Sequence, residues 1–325
     1  MMKRTGAGLG LGLLLAAAAA TLAAADGPLA IRYLYNLSDF TGVVPYNDVR
    51  LYADRAHDEV YAATGNAVRV FNGAGMEVYH FDGDPALGTI FDLAVDAQGD
   101  LLLLTLSLGP GRTGPGWLVA HCDYRGVLKD RIVPHGLPPE LASFRPNVMT
   151  LREGRLLLAS LADLRAVEID RSGAFHAAYD LARLAGLKDE TRRNNEMFGF
   201  SVDRRGRMLF TIPTLFRAFV VDPDGTVRTF GRGGSAPGAF SVASGIVGDD
   251  AGHLFIADKG RGVVLVFDDR LEFVTEFGAA APERGGLVRP TDLALGDAGK
   301  LYVTQARDRG VAVFQVGEPP ETAAP

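Results

Sequence analysis

Five glycines recur along this chain at near-constant spacing: Gly99, Gly154, Gly206, Gly252 and Gly299, with separations of 55, 52, 46 and 47 residues. Each sits in a similar unit. In the last unit, Leu293-Ala294-Leu295 leads to Asp297-Ala298-Gly299-Lys300, then to Leu301-Tyr302-Val303-Thr304, then to Gly310-Val311-Ala312-Val313-Phe314. The unit before it repeats that order and adds a fourth run, Phe273-Val274-Thr275-Glu276-Phe277. Short β-rich runs split by Gly/Asp turns are strand-and-hairpin patterns. Asp54 to Glu59, before Val60-Tyr61-Ala62, is a degenerate first member, which makes six units. Four strands per 40–50 residues is the period of a propeller blade, and a repeat overrides any domain count taken from length. The expected fold is all-β: a six-bladed β-propeller of four-stranded antiparallel blades.

The sixth unit stops near Val316, one strand short. A spare β-rich run, Ile31 to Asn36, stands at the other end of the chain, where the fourth strand of a preceding blade belongs. Residues 31–36 are therefore expected to complete blade six and close the ring, which removes the edges an open array would expose. Blade five, from Phe230-Gly231-Arg232-Gly233-Gly234 through Phe267-Asp268, resembles the NHL-repeat family most clearly, with blade six close behind. The resemblance covers nearly the whole chain after residue 25. It implies the propeller and says little about activity, because propellers host many unrelated functions.

Lys3 and Arg4, the apolar stretch Leu9–Ala20 and the small residues Ala23-Ala24-Ala25 have the three-part layout of a cleavable signal peptide. The domain plan is thus a signal peptide at 1–25, a propeller at 26–317 and a disordered tail at 318–325, with a periplasmic or secreted address. The apolar stretch is short for a stable membrane span. Cleavage removes two basic residues and no acids, leaving 31 Lys+Arg against 39 Asp+Glu, a balance of −8. That charge argues against general nucleic-acid binding. The single cysteine, Cys122, excludes an intrachain disulfide, and its place at the end of a third strand marks it as a small buried hydrophobe. There is no haem-attachment, HExxH or nucleophile-elbow motif. Beside cytochromes the chain would serve as a scaffold only.

Antiparallel strands put the first-to-second and third-to-fourth turns on one face and the longer connections on the other. The insertions at Leu106–Gly116, Pro134–Arg145 and Leu181–Asn195 fall on the longer-loop face, the last with a short helix expected at Leu181–Leu187. So do Arg112, Arg145, Arg192, Arg193, Arg217, Arg261, Arg289 and Arg307, with Lys259. An Arg-rich loop face suits an anionic ligand or another envelope or secreted protein. A second group precedes the core residue of each first strand: Asp48, Asp92, Asn147 and Asp292, with Gly199 and Gly245. Converging carboxylates at the axis are candidates for Ca²⁺ or another hard cation. Pro146-Asn147 is also similar to a step in the gluconolactonase-like propellers, whose axial metal implies a cation-dependent lactonase-like hydrolase or lyase as the alternative to a binding scaffold.

Overall fold

The computed structural model describes residues 29–46, 49–82, 87–106, 116–279 and 285–317. The expected signal peptide, the expected tail, Arg112 and Asp48 lie outside them. Six four-stranded antiparallel sheets are present. From the axis outward, blade one is Arg50–Asp54, Glu59–Thr64, Ala67–Asn72 and Glu77–Asp82. Blade two is Thr89–Val95, Leu101–Leu106, Trp117–Cys122 and Leu128–Ile132. Blade three is Val148–Arg152, Arg155–Ser160, Arg165–Ile169 and Phe175–Asp180. Blade four is Gly199–Val202, Met208–Ile212, Arg217–Val221 and Val227–Phe230. Blade five is Ala243–Gly248, Leu254–Asp258, Val263–Phe267 and Phe273–Phe277. Blade six is Leu293–Leu295, Lys300–Thr304 and Val311–Val316, with Ile31–Asn36 as its outer strand. That strand pairs antiparallel with Val311–Val316, from Ile31 opposite Val316 to Asn36 opposite Ala312. Each innermost strand touches the next, and blade six returns to blade one.

The strands follow from composition. Second and third strands lie between neighbouring sheets and read as continuous apolar runs, such as Leu101–Leu104 and Val263–Phe267, all buried. Outer strands are more exposed, with polar residues such as Lys129, Asp130 and Arg131 alongside exposed apolar ones such as Val78 and Val274. The marker glycines Gly99, Gly154, Gly206, Gly252 and Gly299 all have positive φ, between 75° and 103°, which explains why glycine recurs there. The turn acids also have local work: Asp96 accepts from the Gln98 and Asp100 amides, and Asp170 from those of Ser172 and Ala174. The expected helix is shorter than its sequence pattern, Leu181–Leu184. Asp180 caps it by accepting from the Arg183 amide, and a second turn spans Asp189–Arg192. No helix among the described residues is long and apolar enough to cross a membrane.

Trp117 opens the third strand of blade two, buried, with its indole N–H donating to the Phe144 carbonyl. Cys122 closes that strand fully buried, and burial pushes its thiol up to about 11. The reactive thiolate is then scarce at neutral pH. A thiol-specific disulfide reagent should label Cys122 only as fast as the protein unfolds. Rapid stoichiometric labelling of the folded chain would contradict this placement.

The outer strands lock successive blades. Beyond the outer strand of blade six, Ser38 donates its amide to the Gly75 carbonyl in the third-to-fourth turn of blade one. Beyond that of blade two, the His135 amide donates to Gly173 in the same turn of blade three, and His135 accepts from the Phe175 amide.

Candidate functional site

Strand register decides which residues meet at the axis. Leu51, Leu93, Met149, Phe200, Ile246 and Leu293 pair with equivalent second-strand residues: Ala62, Leu103, Leu158, Phe210, Ile256 and Val303. The residues just before them are therefore Arg50, Asp92, Val148, Gly199, Gly245 and Asp292. This corrects the sequence alignment at two positions: the slot in blade one belongs to Arg50, two residues beyond Asp48, and the slot in blade three belongs to Val148, one beyond Asn147. The ring of slots carries one guanidinium and two carboxylates.

Arg50, Asp92 and Asp292 line a cavity of about 170 Å³ on the axis, with Tyr52, Thr150 and Ser201 among its other walls. The Arg50 guanidinium lies 3.4 Å from Asp292 Oδ1. Asp292 Oδ2 accepts from the Leu51 amide at 3.2 Å, joining blade six to blade one. Asp92 does the same between blades two and three: Oδ1 accepts from the Leu93 amide at 2.9 Å and Oδ2 from the Met149 amide at 2.8 Å. Burial raises the Asp92 carboxyl to about 6, against the pull of Arg50 and the amide bonds. Asn147 stands apart; its Oδ1 accepts from the Leu161 amide at 3.0 Å and holds a loop. The other two slots are glycine because backbones meet there. A Cβ at Gly199 would lie 2.3 Å from the Ser244 carbonyl oxygen, and one at Gly245 2.8 Å from that of Thr291. The sequence reading missed Arg50, although Arg50-Leu51 sits before a strand pattern as Asp292-Leu293 does.

On the loop face, the predicted arginines divide into two groups. Three brace the loops. Arg192 binds Asp180 at 2.8 Å and the Asp163 carbonyl at 2.9 Å. Arg261 binds Glu276 at 2.8 Å and the Ala239 carbonyl at 3.0 Å. Arg217 donates to the carbonyls of Gly231 and Phe216. Arg145 is exposed but tethered to the Phe144 carbonyl at 2.9 Å. Arg193, Arg289 and Arg307 are exposed and make no ion pair with the described residues.

An open basin of about 410 Å³ on this face is lined by Phe198, Val242, Lys259, Gly260 and Arg289. Its residues come from blades four, five and six: Phe198 and Val242 precede first strands, Lys259 follows a second strand, and Arg289 sits in the connection into blade six. The Lys259 loop is fixed from below. Asp258, fully buried, accepts from four amides, those of Ser241, Val242, Gly260 and Arg261, at 2.7–3.1 Å. The Lys259 amide donates to the Val242 carbonyl. Lys259 thus stands on a rigid frame beside an apolar wall, with Arg289 on the same rim.

Five histidines bond carboxylates of their own blades: His57 to Asp54, His80 to Glu77, His121 to Asp100, His176 to Asp170 and His253 to Asp249. No histidine lines the basin or the axial cavity. Asp96, Asp100 and His121 are close enough to share a metal ion, yet Arg171 holds Asp96 at 2.9 Å and Lys129 holds Asp100 at 2.6 Å.

No protein-family profile matches the chain, and no curated protein matches its sequence. Solved structures do match in fold, and they are six-bladed β-propeller proteins. A streptogramin B lyase is 13% identical, covering 89% of this chain and 98% of its own, with a TM-score of 0.57. Virginiamycin B lyase from Staphylococcus aureus is 11% identical over 89% and 99% of the two chains, TM-score 0.56. A luciferin-regenerating enzyme is 12% identical over 89% and 95%, TM-score 0.58. At such identities the likeness shows the propeller fold alone.

Proposed function

We propose that this chain is an exported propeller of the NHL type that binds an anionic ligand, or an acidic segment of another envelope or secreted protein, at its loop face. The observation that carries this reading is the basin in which Lys259 and Arg289 flank Phe198 and Val242. Unlike Arg192, Arg217 and Arg261, these cations have no structural partner among the described residues to satisfy. A carboxylate between them, with its carbon skeleton on Phe198, would gain both charge and apolar contact. Focused positive potential on an acidic protein also speeds encounter with anions.

Polyglutamate is a suitable probe, because the chain's net charge repels it and only a local cationic site would hold it. Calorimetric titration at low salt should show saturable binding that Lys259→Glu with Arg289→Glu weakens at least about tenfold, or 1.4 kcal/mol. Reversing Arg193 and Arg307 instead should have a smaller effect. Equal binding by the basin variant would sink the reading.

The alternative, a cation-dependent lactonase-like hydrolase or lyase, shares its fold with the neighbouring lyases. Its candidate ligands Asp92 and Asp292 do reach the axis. Their oxygens already accept from the Leu93, Met149 and Leu51 amides and face Arg50. Arg50 thus answers the repulsion that would otherwise recruit a metal ion. The basin accordingly favours binding over this chemistry.

A further inference from the structure

The seam between blades three and four differs from the seams into blades one, two and three. In the third-to-fourth turns, Gly75, Gly126 and Gly173 are equivalent, and each is covered by the preceding blade. A Cβ at Gly75 would strike the Tyr35 ring at 2.4 Å, one at Gly126 the Phe81 ring at 2.5 Å, and one at Gly173 the Val133 carbonyl oxygen at 2.2 Å. Their counterpart in blade four, Gly225, has nothing within 4 Å and is exposed. Turns of blades one and three are also paired by an extended segment, Ser38 against Met76 and His135 against Ala174. Among the described residues no such bridge reaches Thr226, the corresponding residue of blade four.

The cause is visible in the chain. After Asp180 the backbone turns at once into the Leu181–Leu184 helix instead of running on past the next blade. Tyr179, which occupies the outer-strand place of Phe81, turns back on its own blade and donates to Glu168 Oε2 at 3.4 Å. What remains is a cleft of about 530 Å³. Leu157, Tyr179, Leu184, Val202, Met208 and Val221 supply its apolar wall, and the Arg155–Glu168 ion pair, 2.6 Å, stands at its polar side.

We propose that this seam is a docking site for an extended segment of a partner protein, which adds to the rim as the chain's own segments do at the seams into blades one and three. At the seam into blade three, His135 donates to the Gly173 carbonyl and accepts from the Phe175 amide. The Gly225 carbonyl and Val227 amide occupy those two places in blade four. The guest therefore supplies one N–H and one C=O of extended backbone, preceded by an aromatic or branched apolar side chain for the cleft. This is strand addition, in which main-chain bonds give affinity and the side-chain cavity gives selectivity.

The test uses the full chain and a capped peptide copying residues 33–38, the segment that fills the seam between blades six and one. Titrated into isotope-labelled protein, it should shift the Gly225 and Val227 amide resonances saturably and slow exchange of the Val227 amide. Leu157→Trp, which fills the cleft from a half-buried position, should weaken binding at least about tenfold. A peptide N-methylated at its pairing amide should lose as much, and this measurement needs no folded variant. Lys259→Glu with Arg289→Glu should leave the peptide bound. No shift at millimolar peptide overturns the proposal. So does equal binding of the N-methylated peptide, or equally tight binding of phenol alone, because either would make the cleft an apolar pocket rather than a strand acceptor.

Discussion

A chain lacking residues 26–36 is expected to melt roughly 6–24 °C lower than one carrying them and to aggregate as it does. The missing strand covers Val311–Val316, in which every residue is buried. Tyr33 lies edge-on to Phe314 at 5.7 Å between ring centroids, and the Tyr35 hydroxyl donates to the Gly73 carbonyl of blade one. Ile31, Tyr33, Leu34 and Tyr35 are each half-buried. At half of about 1.5–3 kcal/mol per fully buried side chain, their loss costs roughly 3–6 kcal/mol. Native stabilities of about 5–15 kcal/mol leave little after that. For a chain of this size, 1 kcal/mol moves the melting temperature by about 2–4 °C. The truncation also bares an apolar strand edge in blade six, which invites pairing between molecules. Calorimetry and light scattering read both effects. An unchanged, reversible transition would mean that the ring does not depend on this closure.

Closure was legible in the sequence because a missing strand at one end and a spare strand at the other leave few alternatives in a periodic array. Blade number, the turn glycines and the buried place of Cys122 were legible for the same reason: each is fixed by comparison with five other copies. The site was less so. Arg50 was missed because the first blade is the most degenerate, and its alignment rested on apolar pattern rather than on a turn glycine. A shift of two residues there exchanged an acid for a base, so three converging carboxylates became two carboxylates beside a cation. Among the arginines, the pattern alone does not separate those that brace loops from those left exposed. Whether Arg192 or Arg193 is free depends on Asp180 lying within reach, and no local pattern specifies that contact. The open seam could not be read at all. It arises from where the chain turns after Asp180, and its mark is empty space beside Gly225, a residue that in sequence looks like Gly173.

Replacing Arg50 by methionine should produce the largest effect of any single substitution near the axis, and the effect should depend on pH. Arg50 stands 3.4 Å from Asp292 and also stabilises the ionised form of Asp92. The pair is partly buried, with side chains 24% and 19% exposed, so removing the cation should cost somewhat less than the about 3–5 kcal/mol of a fully buried pair, because the remaining carboxylates keep some contact with water. Methionine keeps much of the volume, so packing changes little. The folded-state carboxyl of Asp92 already stands near 6, above its unfolded value, so its contribution favours the fold below about pH 4 and is lost as pH rises through 6. Without Arg50 that carboxyl rises further. The variant should therefore be most destabilised near pH 8 and should recover part of the loss near pH 5, where Asp92 takes up a proton and no longer needs a counter-charge. Urea denaturation at the two pH values, compared with the parent chain, measures the difference. A loss of the same size at both would assign Arg50 a packing role and remove the charge argument. A variant as stable as the parent at pH 8 would show that the axial carboxylates are satisfied by the amides of Leu51, Leu93 and Met149 alone.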